Sequence, residues 1–239
     1  MIYPRIIAHR CGGALAPENT LAGLRIAARL GCRGVEFDAM LGADSVPVVI
    51  HDETLERTTS GRGNVAAAES GALIGLDAGG RHHRAFAGEP LPSLEQALRL
   101  CAALDLWANV EIKPAAGHED ETGREVARLA ALIGGRLLLS SFSGRALRAA
   151  AAAAPSLPRA VLFEAVPADW RAVIEETGSL ALHCAGRGLA EGVAAAVRDA
   201  GFRLACYTVN SREEADRLFA LGVDAVFSDR PDLWRPEEM

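Results

Sequence analysis

The 239-residue chain predicts an α/β fold: a closed (β/α)8 barrel of the TIM type, with a short inserted segment after a strand 2–3 hairpin. Three observations carry that expectation. Short apolar runs alternate with amphipathic helical stretches along most of the chain, the pattern of parallel βα units. About eight such units fall within one chain length, as a closed barrel requires. Half of the residues are apolar and the mean hydropathy is +0.13, ample for a single core over 1–239.

Strands are expected at 5–9, 34–39, 46–50, 107–112, 136–140, 159–163, 179–183, 203–207 and 224–228. The first helix, 20–30, stops at Gly31, a residue free to take the left-handed conformation that ends helices. Helix 94–104 opens on Ser93 and Gln96, a capping box, and carries Leu94, Ala97, Leu98, Cys101 and Leu104 on one face. Helix 212–221 opens on Ser211 and Glu214 and ends at Gly222. The Ala-rich stretch 146–154 contains Arg148 and ends before Pro155, so it reads as a helix of a soluble domain.

These strands number nine, one more than the barrel takes. Only Gly42-Ala43-Asp44-Ser45 separates 34–39 from 46–50, too few residues for a crossover helix. The stretch 34–50 is therefore read as an antiparallel hairpin above the barrel mouth. Residue 36 would lie opposite about residue 51, returning His51 beside Glu36. Residues 53–92 follow neither the helical nor the strand period. An irregular segment of ~40 residues is uncommon inside a compact domain. It is expected to be a small insertion forming a lid over the C-terminal face of the barrel.

Net charge is −6, which argues against a nucleic-acid partner. A small anionic substrate needs only a local positive pocket. The five cysteines are odd in number and scattered, and read as reduced core residues of a cytoplasmic protein. The N-terminus enters an apolar strand without the basic and apolar regions of a signal peptide. No apolar run reaches the ~18 residues of a membrane span.

Charged residues interrupt two of the strands in a regular way. In Val35-Glu36-Phe37-Asp38 and Val110-Glu111-Ile112-Lys113 they occupy alternate positions, and residues i and i+2 share a strand face. Buried charges cost several kcal/mol each unless partners or a metal compensate. Three carboxylates suit a hard cation such as Mg²⁺ or Ca²⁺. His9-Arg10, His51-Asp52 and Glu111-Lys113 follow or end strands, so a barrel would gather them at one mouth. Two histidines there suit a general acid and a general base, and Arg10 and Lys113 suit phosphate oxygens. Of the 25 basic residues only Lys113 is lysine, a compact ammonium where a guanidinium fork has less room.

The ordered set of motifs resembles the glycerophosphodiester phosphodiesterase family over essentially the whole chain. It comprises Ala8-His9-Arg10, Pro17-Glu18-Asn19-Thr20, Val35-Glu36-Phe37-Asp38, Pro47-Val48-Val49-Ile50-His51-Asp52 and Leu55-Glu56-Arg57-Thr58-Thr59. Glu111-Ile112-Lys113, Ser140-Ser141-Phe142, Tyr207-Thr208-Val209-Asn210 and Gly222-Val223-Asp224 through Ser228-Asp229-Arg230-Pro231 complete it. The resemblance implies a metal-dependent (β/α)8 enzyme that splits glycerophosphodiesters, such as glycerophosphocholine, into glycerol 3-phosphate and an alcohol. By motif, Glu36, Asp38 and Glu111 would ligate Mg²⁺ or Ca²⁺, His9 and His51 would form the acid–base pair, and Arg10 and Lys113 would hold phosphate. Glu18, Asn19, Phe142 and Tyr207 are expected near the pocket, with Asn19 also a candidate cap for the first helix. The short chain resembles the cytoplasmic bacterial branch. Two departures stand out: Cys11 where the family usually has Gly, so that a positive φ there is not free of cost, and Tyr207 where Trp is common, a change in the pocket wall.

Duller readings compete. His82, His83, His118 and His183 fit structural hydrogen bonding, Cys11 fits a buried apolar contact, and Asp224, Ser228 and Asp229 fit loop and cap positions that could border the pocket. Rival functions are cleavage of lysophospholipids, a non-catalytic phosphodiester binder, and a sugar-phosphate aldolase or isomerase on the same fold.

Overall fold

The computed structural model describes residues 3–239. Strand β1 (Ile6–Ala8) and helix α1 (Leu21–Arg29) lead into β2 (Gly34–Leu41) and β3 (Pro47–Val49); a lobe containing the short helix α2 (Ser70–Leu73) then precedes α3 (Leu94–Ala103). The chain continues through β4 (Trp107–Ile112), α4 (Glu119–Ile133), β5 (Leu137–Ser141), α5 (Gly144–Ala153) and β6 (Arg159–Phe163). It ends with α6 (Trp170–Thr177), β7 (Ala181–Ala185), α7 (Glu191–Asp199), β8 (Arg203–Tyr207), α8 (Arg212–Ala220) and β9 (Ala225–Ser228). The strands run in the order β1-β9-β8-β7-β6-β5-β4-β2, all parallel, and pairing of β1 with β2 closes the ring. β3 lies outside it, antiparallel to β2. This is the expected (β/α)8 barrel, with every expected strand present.

Strand alternation builds the two sides of the barrel wall. On β2, Val35, Phe37 and Ala39 join a core shared with Leu24 and Ala27 of α1 and Leu94, Ala97, Leu98 and Cys101 of α3. Each large side chain fully buried there contributes about 1.5–3 kcal/mol. The intervening Glu36 and Asp38 turn into the barrel, as the period of two demands. Below them an inner core of Tyr3, Ile7, Trp107, Leu138, Phe227 and four alanines fills the interior. His183 is buried there, its Nε2 2.8 Å from the Tyr3 hydroxyl.

Local signals act largely as read. Ser93 and Gln96 form both bonds of the capping box of α3. Gly31 (φ 91°) and Gly222 (φ 87°) follow α1 and α8 in the left-handed region. The cap of α1 is Thr20 rather than Asn19: the Thr20 hydroxyl accepts from the Gly23 amide at 3.2 Å, while Asn19 is drawn away by β2.

Ala39 pairs with Val49 and Leu41 with Pro47, so extending the hairpin places residue 36 opposite 52, one position from the expected register. The Gly42 amide bonds the Val46 carbonyl and Ser45 takes φ 60°, which shifts the turn's centre to Asp44. Residues 53–92 contain short 3-10 turns at 65–67 and 84–86 as well as α2. Leu55, Val65, Leu73, Ala78 and Leu91 pack with Met40, Val48 and Ile50, giving the segment a small core built on the hairpin. Sequence periodicity missed it because it is folded by these contacts rather than by one long element.

Candidate active site

A cavity of about 380 Å³ opens at the C-terminal ends of the strands, lined by His9, Arg10, Glu36, Asp38, His51, Glu111, Lys113, Phe142 and Tyr207 among others. Nine of the eleven candidate residues therefore line one cavity. The other two, Glu18 and Asn19, stand behind it and hold residues that line it.

The carboxylates converge through register. Asp38 pairs across the sheet with Glu111, and Glu36 with Asn109. Glu36, Asp38 and Glu111 each bring an oxygen within 4.8 Å of the others. Both oxygens of Asp38 belong to a buried β2 residue, and Asn19 fixes it twice: the Asn19 Nδ2 donates to Asp38 Oδ2 at 2.8 Å, and the Asp38 amide donates to Asn19 Oδ1 at 3.1 Å. Glu36 Oε2 accepts from the Arg10 amide at 2.8 Å, but its buried Oε1 has no hydrogen-bond partner among the described residues. Burial and the neighbouring Asp38 push Glu36 up to about 7 and Glu111 up to about 8. Crowded, desolvated carboxylates of this kind resist ionising together unless a cation joins them.

Each histidine has a carboxylate behind it. His9 Nδ1 lies 2.6 Å from Asp229 Oδ1, and His51 Nδ1 lies 2.6 Å from Asp52 Oδ1. This orientation places a hydrogen on Nδ1 and leaves Nε2 for the cavity. His9 Nε2 is 3.8 Å from Glu36, and His51 Nε2 is 2.7 Å from Lys113 Nζ. Burial opposes charge on His9, yet the Asp229 bond and the Glu36 charge raise its pKa overall. For His51 burial prevails over Asp38 and Asp52, and its pKa is lowered.

The turn after β1 sets these positions. Arg10 (φ 48°) and Cys11 (φ 75°) both take left-handed backbone, and the Cys11 amide bonds the Glu36 carbonyl at 2.6 Å. A side chain at such a position costs about 1–2 kcal/mol, which a glycine would avoid. Cys11 is buried in the core, and burial pushes its thiol well above the usual range, so the apolar role holds. Gly13 is required two residues on: a Cβ there would stand 2.4 Å from the Asp229 carbonyl oxygen. Without a side chain, the turn admits the bond from the Ala14 amide to that oxygen, which brings Asp229 beside His9.

Arg10 uses Nη1 to bind Glu18 at 3.0 Å, while its buried Nε has no partner among the described residues. Lys113 Nζ lies 3.5 Å from Glu111 and 3.7 Å from Asp38. From the lobe, Arg57 bonds both oxygens of Asp52 and both of Glu18. Its hydrogen bond holds Asp52 well below the usual carboxylate range. None of the cavity's lining residues comes from 53–92, so the lobe flanks the mouth through Arg57.

Several site residues escaped the sequence reading. Asp229 reads from the sequence as a loop or cap residue at the pocket border; the structure gives it a closer role, backing His9 and accepting from Asn210 Nδ2 at 2.9 Å. Arg57 and Asn109, whose buried Oδ1 is unpartnered, were also missed as site residues. Asp229 and Arg57 lie within motifs that carry the family resemblance, the one signal in the sequence that marks them. The four remaining histidines take structural places: His183 with Tyr3, His83 accepting from the Ala85 amide, His118 near Glu121, and His82 against Phe86.

Comparison with known proteins agrees with this geometry. The model of the glycerophosphoryl diester phosphodiesterase family matches residues 9–233. A glycerophosphodiester phosphodiesterase of Caldanaerobacter subterraneus subsp. tengcongensis is 32% identical over 232 residues, covering 95% of this chain and 94% of that protein. Among solved structures, an Oleispira antarctica phosphodiesterase in complex with the product sn-glycerol-3-phosphate superposes with a TM-score of 0.93 at 34% identity, covering 96% of this chain and 94% of that one. A glycerophosphodiester phosphodiesterase from Agrobacterium tumefaciens gives a TM-score of 0.80 at 29% identity, over 97% and 98% of the two chains. With its barrel, its motifs and these relatives in agreement, the chain belongs to the glycerophosphoryl diester phosphodiesterase family and is a hydrolase of that kind.

Proposed function

We propose that the protein hydrolyses small glycerophosphodiesters, such as glycerophosphocholine or glycerophosphoethanolamine, to glycerol 3-phosphate and an alcohol, with a divalent metal and two histidines. One observation carries the reading. Within a single cavity, a buried carboxylate oxygen (Glu36 Oε1) and a buried guanidinium nitrogen (Arg10 Nε) both lack partners among the described residues. The first suits a cation, and the second suits an anion beside it. The Oleispira relative, bound to sn-glycerol-3-phosphate, supports the same product here.

The residues fit a metal on their donor chemistry. Glu36, Asp38 and Glu111 offer hard oxygen ligands, as Mg²⁺ or Ca²⁺ prefers. An ion held there would neutralise phosphate charge and acidify a coordinated hydroxyl. Arg10 Nε and Lys113 Nζ would hold the phosphate oxygens and oppose the charge that builds on them. Of His9 and His51, one takes a proton from the nucleophile at Nε2 and the other gives a proton to the departing alcohol. The nucleophile is water or the substrate's own adjacent 2-hydroxyl, whose attack gains from proximity; in the second case the alcohol leaves as a cyclic phosphate forms, and water then opens that ring to glycerol 3-phosphate. Asp229 and Asp52 keep both imidazoles in the tautomer this exchange requires. In this reading the 53–92 lobe braces the mouth through Arg57.

Five free, buried cysteines support a reducing, cytoplasmic location. Among the described residues, no helix is long and apolar enough to cross a membrane. The test is phosphorus NMR of glycerophosphocholine incubated with the purified protein and Mg²⁺ or Ca²⁺. Glycerol 3-phosphate is expected; release of phosphocholine instead, or no product from any headgroup with any divalent ion, defeats the proposal.

A further inference from the structure

The cavity has two unlike halves. β1, β2, β4 and the chain that follows β3 supply the histidine and carboxylate side. Across the ring, β5, β6 and β8 end in Phe142, Leu162, Glu164, Tyr207 and Thr208, which the chemistry above leaves unused. Phe142 is 48% exposed, unusual for a large apolar side chain, and stands edge-to-face with Tyr207 at a ring separation of 6.0 Å. The Tyr207 hydroxyl already donates to the Phe163 carbonyl at 2.8 Å, so the ring is fixed and that hydroxyl is committed. Next along the chain from Phe163, Glu164 lines the same wall. Among the described residues it forms no ion pair and no hydrogen bond.

An open aromatic pair beside an uncompensated carboxylate is a receptor for an alkylammonium ion. Aromatic faces attract such cations, and a carboxylate supplies the opposite charge. A polyol headgroup could hydrogen-bond Glu164 and Thr208 here, but it would leave the carboxylate's charge uncompensated and would set its hydroxyls against the aromatic rings. We propose that Phe142, Tyr207 and Glu164 form a subsite for the cationic alcohol of the substrate, a choline- or ethanolamine-type ammonium, with Glu164 as the specificity-determining charge. This inference rests on the hydrolase reading above and names the headgroup that site prefers.

The test compares glycerophosphocholine with glycerophosphoglycerol, which share the phosphodiester and differ in headgroup charge. Wild-type kcat/KM should favour the choline ester. In Glu164→Gln the ratio of the two kcat/KM values should fall about tenfold, mainly through KM, and Phe142→Leu should lower it in the same direction. An unchanged ratio, or equal losses on both esters, overturns the proposal, since equal losses place Glu164 at the glycerol end common to both.

If wild-type protein turns over neither ester, the hydrolase reading fails, and the subsite is then judged by binding alone. Calorimetry with choline and its neutral carbon isostere 3,3-dimethyl-1-butanol should show tighter binding of choline, lost in Glu164→Gln. Equal binding of the two, or none, overturns the subsite.

Discussion

Replacing Asp229 with Asn is the sharpest perturbation of the acid–base machinery. Asp229 Oδ1 accepts from His9 Nδ1 at 2.6 Å, while its Oδ2 accepts from Asn210 Nδ2 at 2.9 Å. The Asn210 Oδ1 meanwhile accepts from the Asp229 amide at 2.8 Å, which fixes the orientation of the Asn210 side chain. An asparagine at 229 must therefore present its oxygen to Asn210 and its NH₂ to His9. His9 Nδ1 then becomes an acceptor, and the hydrogen moves to Nε2, facing the cavity. A neutral imidazole in that tautomer cannot take a proton at Nε2, and giving one up there would leave an imidazolate. Either role is lost. General acid–base catalysis contributes typically 10²–10⁴-fold, so kcat should fall by about that factor. KM should change little, because the phosphate contacts assigned to Arg10 and Lys113 are untouched. The assay is release of glycerol 3-phosphate with metal in excess, alongside a thermal melt expected to shift by only a few degrees. Activity of the Asp229→Asn protein within about threefold of wild type would falsify the assigned role of the Asp229–His9 pair.

Three other changes follow from the same geometry. Lys113→Arg keeps the charge but forces a broad guanidinium between His51, 2.7 Å away, and the carboxylates of Glu111 and Asp38; kcat/KM should drop about 10-fold or more, and wild-type rates would remove the argument from the single lysine. Arg57→Ala releases Asp52 and Glu18 together, so the Asp52 pKa should rise toward its ordinary value, visible by carboxyl NMR titration, with activity reduced as His51 loosens. An Asp52 pKa that stays low in Arg57→Ala would mean another group holds it. Glu36 and Glu111, raised from 4.5 to about 7 and about 8, favour the protonated apo protein. Their contribution to stability is full below about pH 4.5 and fades as pH rises through the folded values. Added Ca²⁺ or Mg²⁺ should therefore raise the melting temperature more at about pH 8.5 than at about pH 6. A metal-induced shift that is equal at both, or larger in acid, would contradict the assignment of the trio as ligands.

Much of this molecule was legible in its sequence because the barrel repeats one local unit. Alternation in Val35-Glu36-Phe37-Asp38 announced both the outer core and the inward acids, and the register of β2 on β4 then brought Asp38 to Glu111. Backbone chemistry at Ser93, Gly31 and Gly222 marked helix ends for the same reason: the cause is local. What remained hidden depends on contacts between distant residues. Asp229 meets His9 across 220 positions of chain, through a turn that only Gly13 permits. The roles of Asn19 and Arg57 are equally tertiary; each is a polar loop residue until β2 or the hairpin is placed beside it. The lobe was opaque because its five core residues are spread over 37 positions, Leu55 to Leu91, and find their partners on the hairpin. Cys11 shows the reverse case: the departure from Gly and the cost of a positive φ there were legible, and the backbone does take φ 75°, while the burial that quiets its thiol was supplied by the fold.

Chelation and restoration is the most direct trial of the trio formed by Glu36, Asp38 and Glu111. Protein stripped with EDTA and dialysed should release no glycerol 3-phosphate from glycerophosphocholine, and titrating Mg²⁺ or Ca²⁺ should restore turnover in wild type but only weakly in Glu36→Gln. Full turnover by the stripped protein, or identical metal responses in the two, would contradict the account.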